Sequence, residues 1–208
     1  LRLMVNSRTF RQGSALRDGV NDPENKLWAR GPHYRLDAEV LRDIALWASG
    51  LLDPHMGGEG VKPYQPAGLW KALAHPGSNT KNYVRDSGQR LYRRSLYTFW
   101  KRTSPPPTMS IFDAPTREAC VVMRSRTNTP LQALVTMNDP QFVEAARVLA
   151  TRVMKKHEKL EERITLACRL LTGTRPRPGM LRLLVETQLS GLPMHHPFGH
   201  ERLQKFHS

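Results

Sequence analysis

The chain is short of cysteine, of long apolar runs and of acidic charge, and each shortage excludes something. Only Cys120 and Cys168 occur among 208 residues. Neither sits in a C-x-x-C or C-x-x-C-H pattern, so this segment carries neither an attached c-type haem nor a cysteine-rich zinc site. The two thiols read as small buried side chains, with a single disulfide as the alternative. No apolar stretch approaches the roughly 18–20 residues that a membrane-spanning helix needs, and no signal peptide is recognisable. A Gly-rich phosphate loop, a nucleophile elbow and an H-E-x-x-H helix are all missing. No internal repeat is present.

What is there is basic and broken by proline. Lys and Arg total 32 against 18 Asp and Glu, for a formal net charge of +14. Such a surface suits nucleic acid, anionic lipid or acidic polysaccharide. The excess is spread through both halves of the chain and is mostly arginine, a residue that also serves in ion pairs and in capping carbonyls. Sixteen prolines divide a 39% hydrophobic content into short pieces. The expected fold is mainly α: a helical domain with long ordered Gly/Pro-rich loops and at most a small β-hairpin near residues 94–100.

The helical signals are local. Residues 1–11 read as the end of an amphipathic helix with Leu3, Met4, Val5 and Phe10 on its apolar side, which implies an upstream part. Asp22-Pro23 has the form of an N-cap followed by Pro at N1. Asp37 reads as the capping residue of a helix in which Val40, Leu41, Ile44 and Trp47 recur at three- and four-residue spacing and Gly50 marks the stop. Thr129-Pro130 and Asp139-Pro140 open two more helices. E-E-R-I-T-L-A-C-R-L-L-T-G predicts another, ending at Gly173, and a last helix follows Pro178. T-S-P-P-P-T reads as a polyproline turn. The tail H-H-P-F-G-H-E-R-L-Q-K-F-H-S, from His195, reads as loose.

Three groups of residues carry candidate chemistry. Tyr64 and Trp70 stand in a Gly/Pro-rich loop of the type that stacks on sugar rings, with Gln65 and Lys62 beside them; the alternative is that both rings pin the loop to the core. Residues 81–102 hold Lys81, Arg85, Arg90, Arg93, Arg94, Lys101 and Arg102 among Tyr92, Tyr97, Phe99 and Trp100. This suits an oxyanion such as a sulfate, or internal pairing of Arg93 and Arg94 with Asp113, Glu118 or Asp139. The third group surrounds Asp113, Arg117, Glu118, Arg124, Arg126, Asn128, Gln132, Asn138 and Asp139. Asp113 with Glu118 or Asp139 would supply the acid–base pair of glycoside chemistry, and the same residues would serve equally as caps and ion pairs. The ligand-binding candidates are thus Tyr64, Trp70, Arg93, Arg94, Trp100, Arg124, Arg126 and Asn128. His195-His196-x-x-x-His200 has a metal-like spacing, but Pro197 and Gly199 interrupt any helix there, and no metal site is assigned.

Two long blocks give a resemblance. L-Y-R-R-S-L-Y-T-F-W-K-R-T-S-P-P-P-T-M-S-I-F-D-A-P-T-R-E-A-C and R-S-R-T-N-T-P-L-Q-A-L-V-T-M-N-D-P-Q-F-V-E-A-A-R-V-L-A closely resemble the planctomycete-specific C-terminal domain of unknown function 1553. D-P-E-N-K-L-W-A-R-G-P, the block from Arg35 to Trp70 and E-R-I-T-L-A-C-R-L-L-T-G-T-R-P resemble it too. On this reading residues 1–178 are the C-terminal part of that domain and residues 179–208 a last helix and tail. The resemblance implies an exported, modular parent at the periplasm or cell surface, with upstream domains as partners and haem c in an upstream module. It implies no cofactor in this segment and carries no catalytic residue across. The expected role is an accessory or carbohydrate/anion-binding module with polysaccharide as partner. The alternatives are a glycan-acting hydrolase or haem-linked redox enzyme centred on Asp113, Arg126 and Asp139, and a nucleic-acid-binding module based on charge, which export argues against.

Overall fold

The computed structural model describes residues 1–16, 18–32 and 34–190. His33, the His195-His196-x-x-x-His200 pattern, His207 and the tail lie outside the described residues. The fold is mainly α: helix accounts for 45% and strand for 3%. The helices are α1 (Arg2–Asn6), α2 (Ala38–Ser49), α3 (Leu69–Leu73), α4 (Pro107–Ile111), α5 (Pro130–Asn138), α6 (Pro140–Met154), α7 (Leu160–Thr172) and α8 (Pro178–Leu189).

Helix α2 is the centre of the molecule and packs on α6, α7 and α4. Its buried side is Ala38, Arg42, Leu46 and Ser49, four residues at helical spacing. Ala48 is sealed against Leu149 and Val153 of α6, with Leu166, Ala167 and Leu170 of α7 alongside. A methyl group at that contact lets the two helix backbones approach closely. Gly50 ends α2 at φ 89, a left-handed conformation that glycine adopts without a Cβ penalty. Arg152 of α6 then donates to the carbonyls of Trp47 (3.2 Å) and Ala48 (2.6 Å), satisfying the open end of α2. A second apolar cluster joins Ala38, Met109 and Phe112, with Leu41, Trp100 and Phe142 against it.

The proline-led starts hold. Asp139 accepts from the Gln141 N–H at 2.8 Å at the head of α6. At the head of α5, Gln132 accepts from the Thr129 N–H at 3.3 Å. Helix α7 stops at Gly173, φ 73. Pro178 opens α8, which packs on α7.

Four local expectations are corrected. The first residues form only the short helix α1, which has no buried residue. Asp22 starts no helix; its carboxylate accepts from the N–H groups of Lys26 and Leu27, both at 2.8 Å, while Asn25 at φ 55 breaks helical continuation. The proline run passes directly into α4, with Pro107 at its head. The small β-hairpin near residues 94–100 is absent: Gly88–Tyr92 and Ser95–Tyr97 are 3-10 turns. Only isolated bridges form there, Val61 with Thr98 and Asp53 with Arg93, both parallel. Side chains of α2 have taken the groups a hairpin would pair. Asp43 accepts the Ser95 N–H at 2.7 Å, and Arg42 takes the carbonyls of Leu91 (2.7 Å) and Arg93 (2.8 Å).

Candidate functional site

The polar interior is organised around Arg42, which is 4% exposed. Its Nε donates to Gln141 Oε1, its Nη1 to the Arg93 carbonyl and to Ser95 Oγ, and its Nη2 to the Leu91 carbonyl. Burial lowers its pKa to about 10, opposed by the nearby carboxylates of Asp43 and Asp139. It therefore stays charged at neutral pH, with every nitrogen engaged. Sequence reasoning missed this residue. Its signal was position: a lone arginine between Ala38 and Leu46 on the apolar stripe of an amphipathic helix.

Arg93 continues the chain of bonds. It is buried, with Nη1 donating to the Glu59 carbonyl at 2.9 Å and Nη2 to the carbonyls of His55 (3.3 Å) and Gly57. Its guanidinium lies 3.9 Å from the centre of the Tyr97 ring, and Tyr97 Oη accepts the Gly57 N–H at 2.6 Å. Arg93 is thus the anchor of the Gly-rich loop and offers no free fork to an oxyanion. Arg94 is half-exposed, with Nε 3.9 Å from Asp43. Neither arginine reaches Asp113, Glu118 or Asp139.

The aromatic candidates are also spent internally. Trp70 is 2% exposed, so it has no face open to a sugar. It packs edge-on to Tyr83 at 4.9 Å, with Lys101 Nζ 4.9 Å and Lys62 Nζ 5.9 Å from its ring. Tyr64 is half-buried beneath Arg85, 4.7 Å away. Burial and Glu144 push its hydroxyl pKa up. Tyr92 donates to the same Glu144 at 2.7 Å, and burial followed by that bond raises its pKa too. Trp100 donates to the Thr116 carbonyl at 3.1 Å with Arg117 over its ring at 4.4 Å.

The third group divides. Asp113, at φ 61, accepts the Thr127 N–H (2.8 Å) and hydroxyl and pairs with Arg35. Burial pushes its carboxyl up, but the Thr127 and Arg35 contacts outweigh it and hold the carboxyl below the ordinary range. Asp139 caps α6 and accepts from the Thr108 hydroxyl. Glu118 is exposed on the loop. Arg124 pairs with Glu39 (2.8 Å) and Asp37 (3.6 Å), which is where Asp37 is spent instead of capping α2. Arg126 stacks on Tyr34 at 4.1 Å.

Two hollows remain. A void of about 20 Å³, room for a single water, touches Tyr64, Arg42 and Phe112. A groove of about 520 Å³ runs among α2, α5 and α6. Its walls are mostly apolar, with Leu41, Ile44, Phe142 and Leu149 prominent, and its polar lining is Arg35, Asn128, Gln132 and Thr136. Of the sequence-derived candidates, Asn128 and Gln132 line the groove and Tyr64 the small void; the others line neither. Among the described residues no group of three or more His, Cys, Asp or Glu side chains is placed to hold a metal, and no helix is long and apolar enough to cross a membrane. Both cysteines are free, and Cys120 is exposed, which corrects its reading as a buried thiol.

Fold and site together define a mainly α domain whose buried and half-buried arginines are committed to its own carbonyls, carboxylates and rings. The chain belongs to the family described as protein of unknown function (DUF1553), PSD1, whose model matches residues 1–187 and so extends into α8. No curated protein and no solved structure matches the chain.

Proposed function

We propose that the chain is an accessory, non-catalytic packing module of a larger exported protein, covered in part by a neighbouring domain of that protein. The observation that supports this reading most is the apolar surface of the first segment. Leu3 is 91% exposed, and Leu1, Met4, Phe10, Leu16, Leu27 and Trp28 are all more than half exposed. Its two arms are tied together by Gly31 N–H to the Gly13 carbonyl (2.8 Å) and Gln12 Nε2 to the Trp28 carbonyl (2.9 Å). Scattered exposed leucines are ordinary, but this density on one tied segment is the mark of a surface that meets a partner. The engagement of Arg93, Arg124 and Arg126 within the fold also favours packing over ligand capture.

Sedimentation and thermal unfolding of the chain and of a Leu3→Ser, Met4→Ser, Phe10→Ser variant test the reading. The variant is expected to lose self-association and dye binding while keeping its melting temperature. A melting temperature lowered by several degrees would place those residues in the core and remove the argument. Retention on neutral or sulfated polysaccharide that survives moderate salt would replace packing by glycan binding.

A further inference from the structure

The groove among α2, α5 and α6 has the size and chemistry of a ligand site. Its volume of about 520 Å³ falls within the roughly 300–1,000 Å³ typical of small-molecule pockets. Sugars would find few polar partners against Leu41, Ile44, Ala45, Phe142, Ala146 and Leu149, whereas a hydrocarbon chain is matched by them.

The polar lining specifies the other end of that ligand. Arg35 lies against the Phe112 ring at 5.6 Å and gives Nη2 to Asp113, while its Nε and Nη1 are buried without any partner. Buried donors left unmade are rare in folded proteins and favour an arriving acceptor. Asp113 settles the charge of that acceptor. It already neutralises Arg35, and the contacts to Thr127 and Arg35 keep it ionised, so a carboxylate head would be a second anion beside a single cation. Gln132 adds an amide bonded to the Thr127 hydroxyl at 3.0 Å, which joins Arg35, Asp113, Thr127 and Gln132 into one hydrogen-bonded group.

We infer that this groove binds an acyl chain bearing an uncharged carbonyl head, such as an ester or amide, with the chain along the apolar walls and the carbonyl oxygen on Arg35. The inference goes beyond the packing role and uses a different surface from the first segment.

Calorimetric titration of the full chain with 1-monolauroylglycerol, kept below its micellar concentration, tests it, with laurate as the anionic counterpart. Saturable one-to-one binding of the ester is expected, with laurate at least tenfold weaker. Ala146→Trp, an exposed position on the wall of the groove, is expected to abolish binding without lowering the melting temperature. Arg35→Met is expected to weaken the ester at least tenfold. Asp113→Asn, which keeps a residue tolerant of φ 61, is expected to bring laurate up to the affinity of the ester. The proposal is overturned by absence of saturable binding, by binding indifferent to Ala146→Trp, or by wild-type preference for laurate. It is equally overturned if the wild type is a dimer that Ala146→Trp dissociates, because the groove is then a contact between copies. None of these results depends on the first segment, so the packing role stands or falls separately.

Discussion

Arg42 donates to the carbonyl of Arg93, and Arg93 donates in turn to the carbonyls of His55, Gly57 and Glu59. Helix α2, the 3-10 turns and the Gly-rich loop are thereby joined through two guanidinium groups. Backbone groups that a sheet would satisfy by pairing are satisfied here by charged side chains, each bond stronger than its neutral counterpart.

Replacing Arg42 by Met should cost about 3 kcal/mol or more, because the carbonyls of Leu91 and Arg93 and the Gln141 amide oxygen are left buried and unpaired. Arg42→Lys should recover little of this, since one ammonium cannot span three directions. Urea unfolding monitored by circular dichroism measures both.

Arg93 and Arg94 are adjacent and should behave oppositely. Arg93→Ala is expected to destabilise by about 2 kcal/mol and to open residues 55–59 to protease and to hydrogen exchange. Arg94→Ala removes a half-exposed contact 3.9 Å from Asp43 and an exposed one to Met56 Sδ at 3.5 Å, and should stay within about 0.5 kcal/mol of wild type. Equal effects would contradict the assignment of Arg93 as the loop's anchor.

How much of this was legible beforehand depends on whether the cause was local. The stops at Gly50 and Gly173 and the starts at Pro130, Pro140 and Pro178 are set by a residue and its nearest neighbours, and they were readable. The expected hairpin failed because its alternating apolar pattern was overruled by Arg42 and Asp43, some fifty residues earlier in the chain. Trp70 and Arg93 were picked out by composition as ligand contacts. What decides their role is the side chains and carbonyls folded over them, and a one-dimensional pattern does not contain that. Arg35 went unnoticed because its unpaired nitrogens exist only in three dimensions.

Spectrophotometric titration at the phenolate band should find Tyr64, Tyr83 and Tyr92 ionising above the ordinary midpoint of about 10, burial being the main cause for each. Glu144→Gln should bring Tyr64 and Tyr92 part of the way back and leave Tyr83 where it was. These raised values correspond to stability present below about pH 10 and lost as pH rises through the folded-state values. A folded chain that titrates like the denatured one would refute the burial of these hydroxyls.

At the acid end the sign reverses. Asp113 has a depressed pKa, so its contribution is present above the usual carboxylate value of about 3.9 and is lost as pH falls through the lowered one. Asp113→Asn should flatten the fall in urea midpoint over that acid range while lowering the midpoint at neutral pH. A fall as steep as that of wild type would show that Asp113 does not contribute to acid unfolding.

The bond from Arg42 to Gln141 spans 99 residues, which has a consequence during synthesis. Chains grow at roughly 5–20 residues per second, so α2 leaves the ribosome about 5–20 s before α6 exists to cover it. Over that interval its guanidinium is hydrated and its Leu46–Ala48 side stands open. Helix α2 is therefore shielded on that side only once α6 has been made.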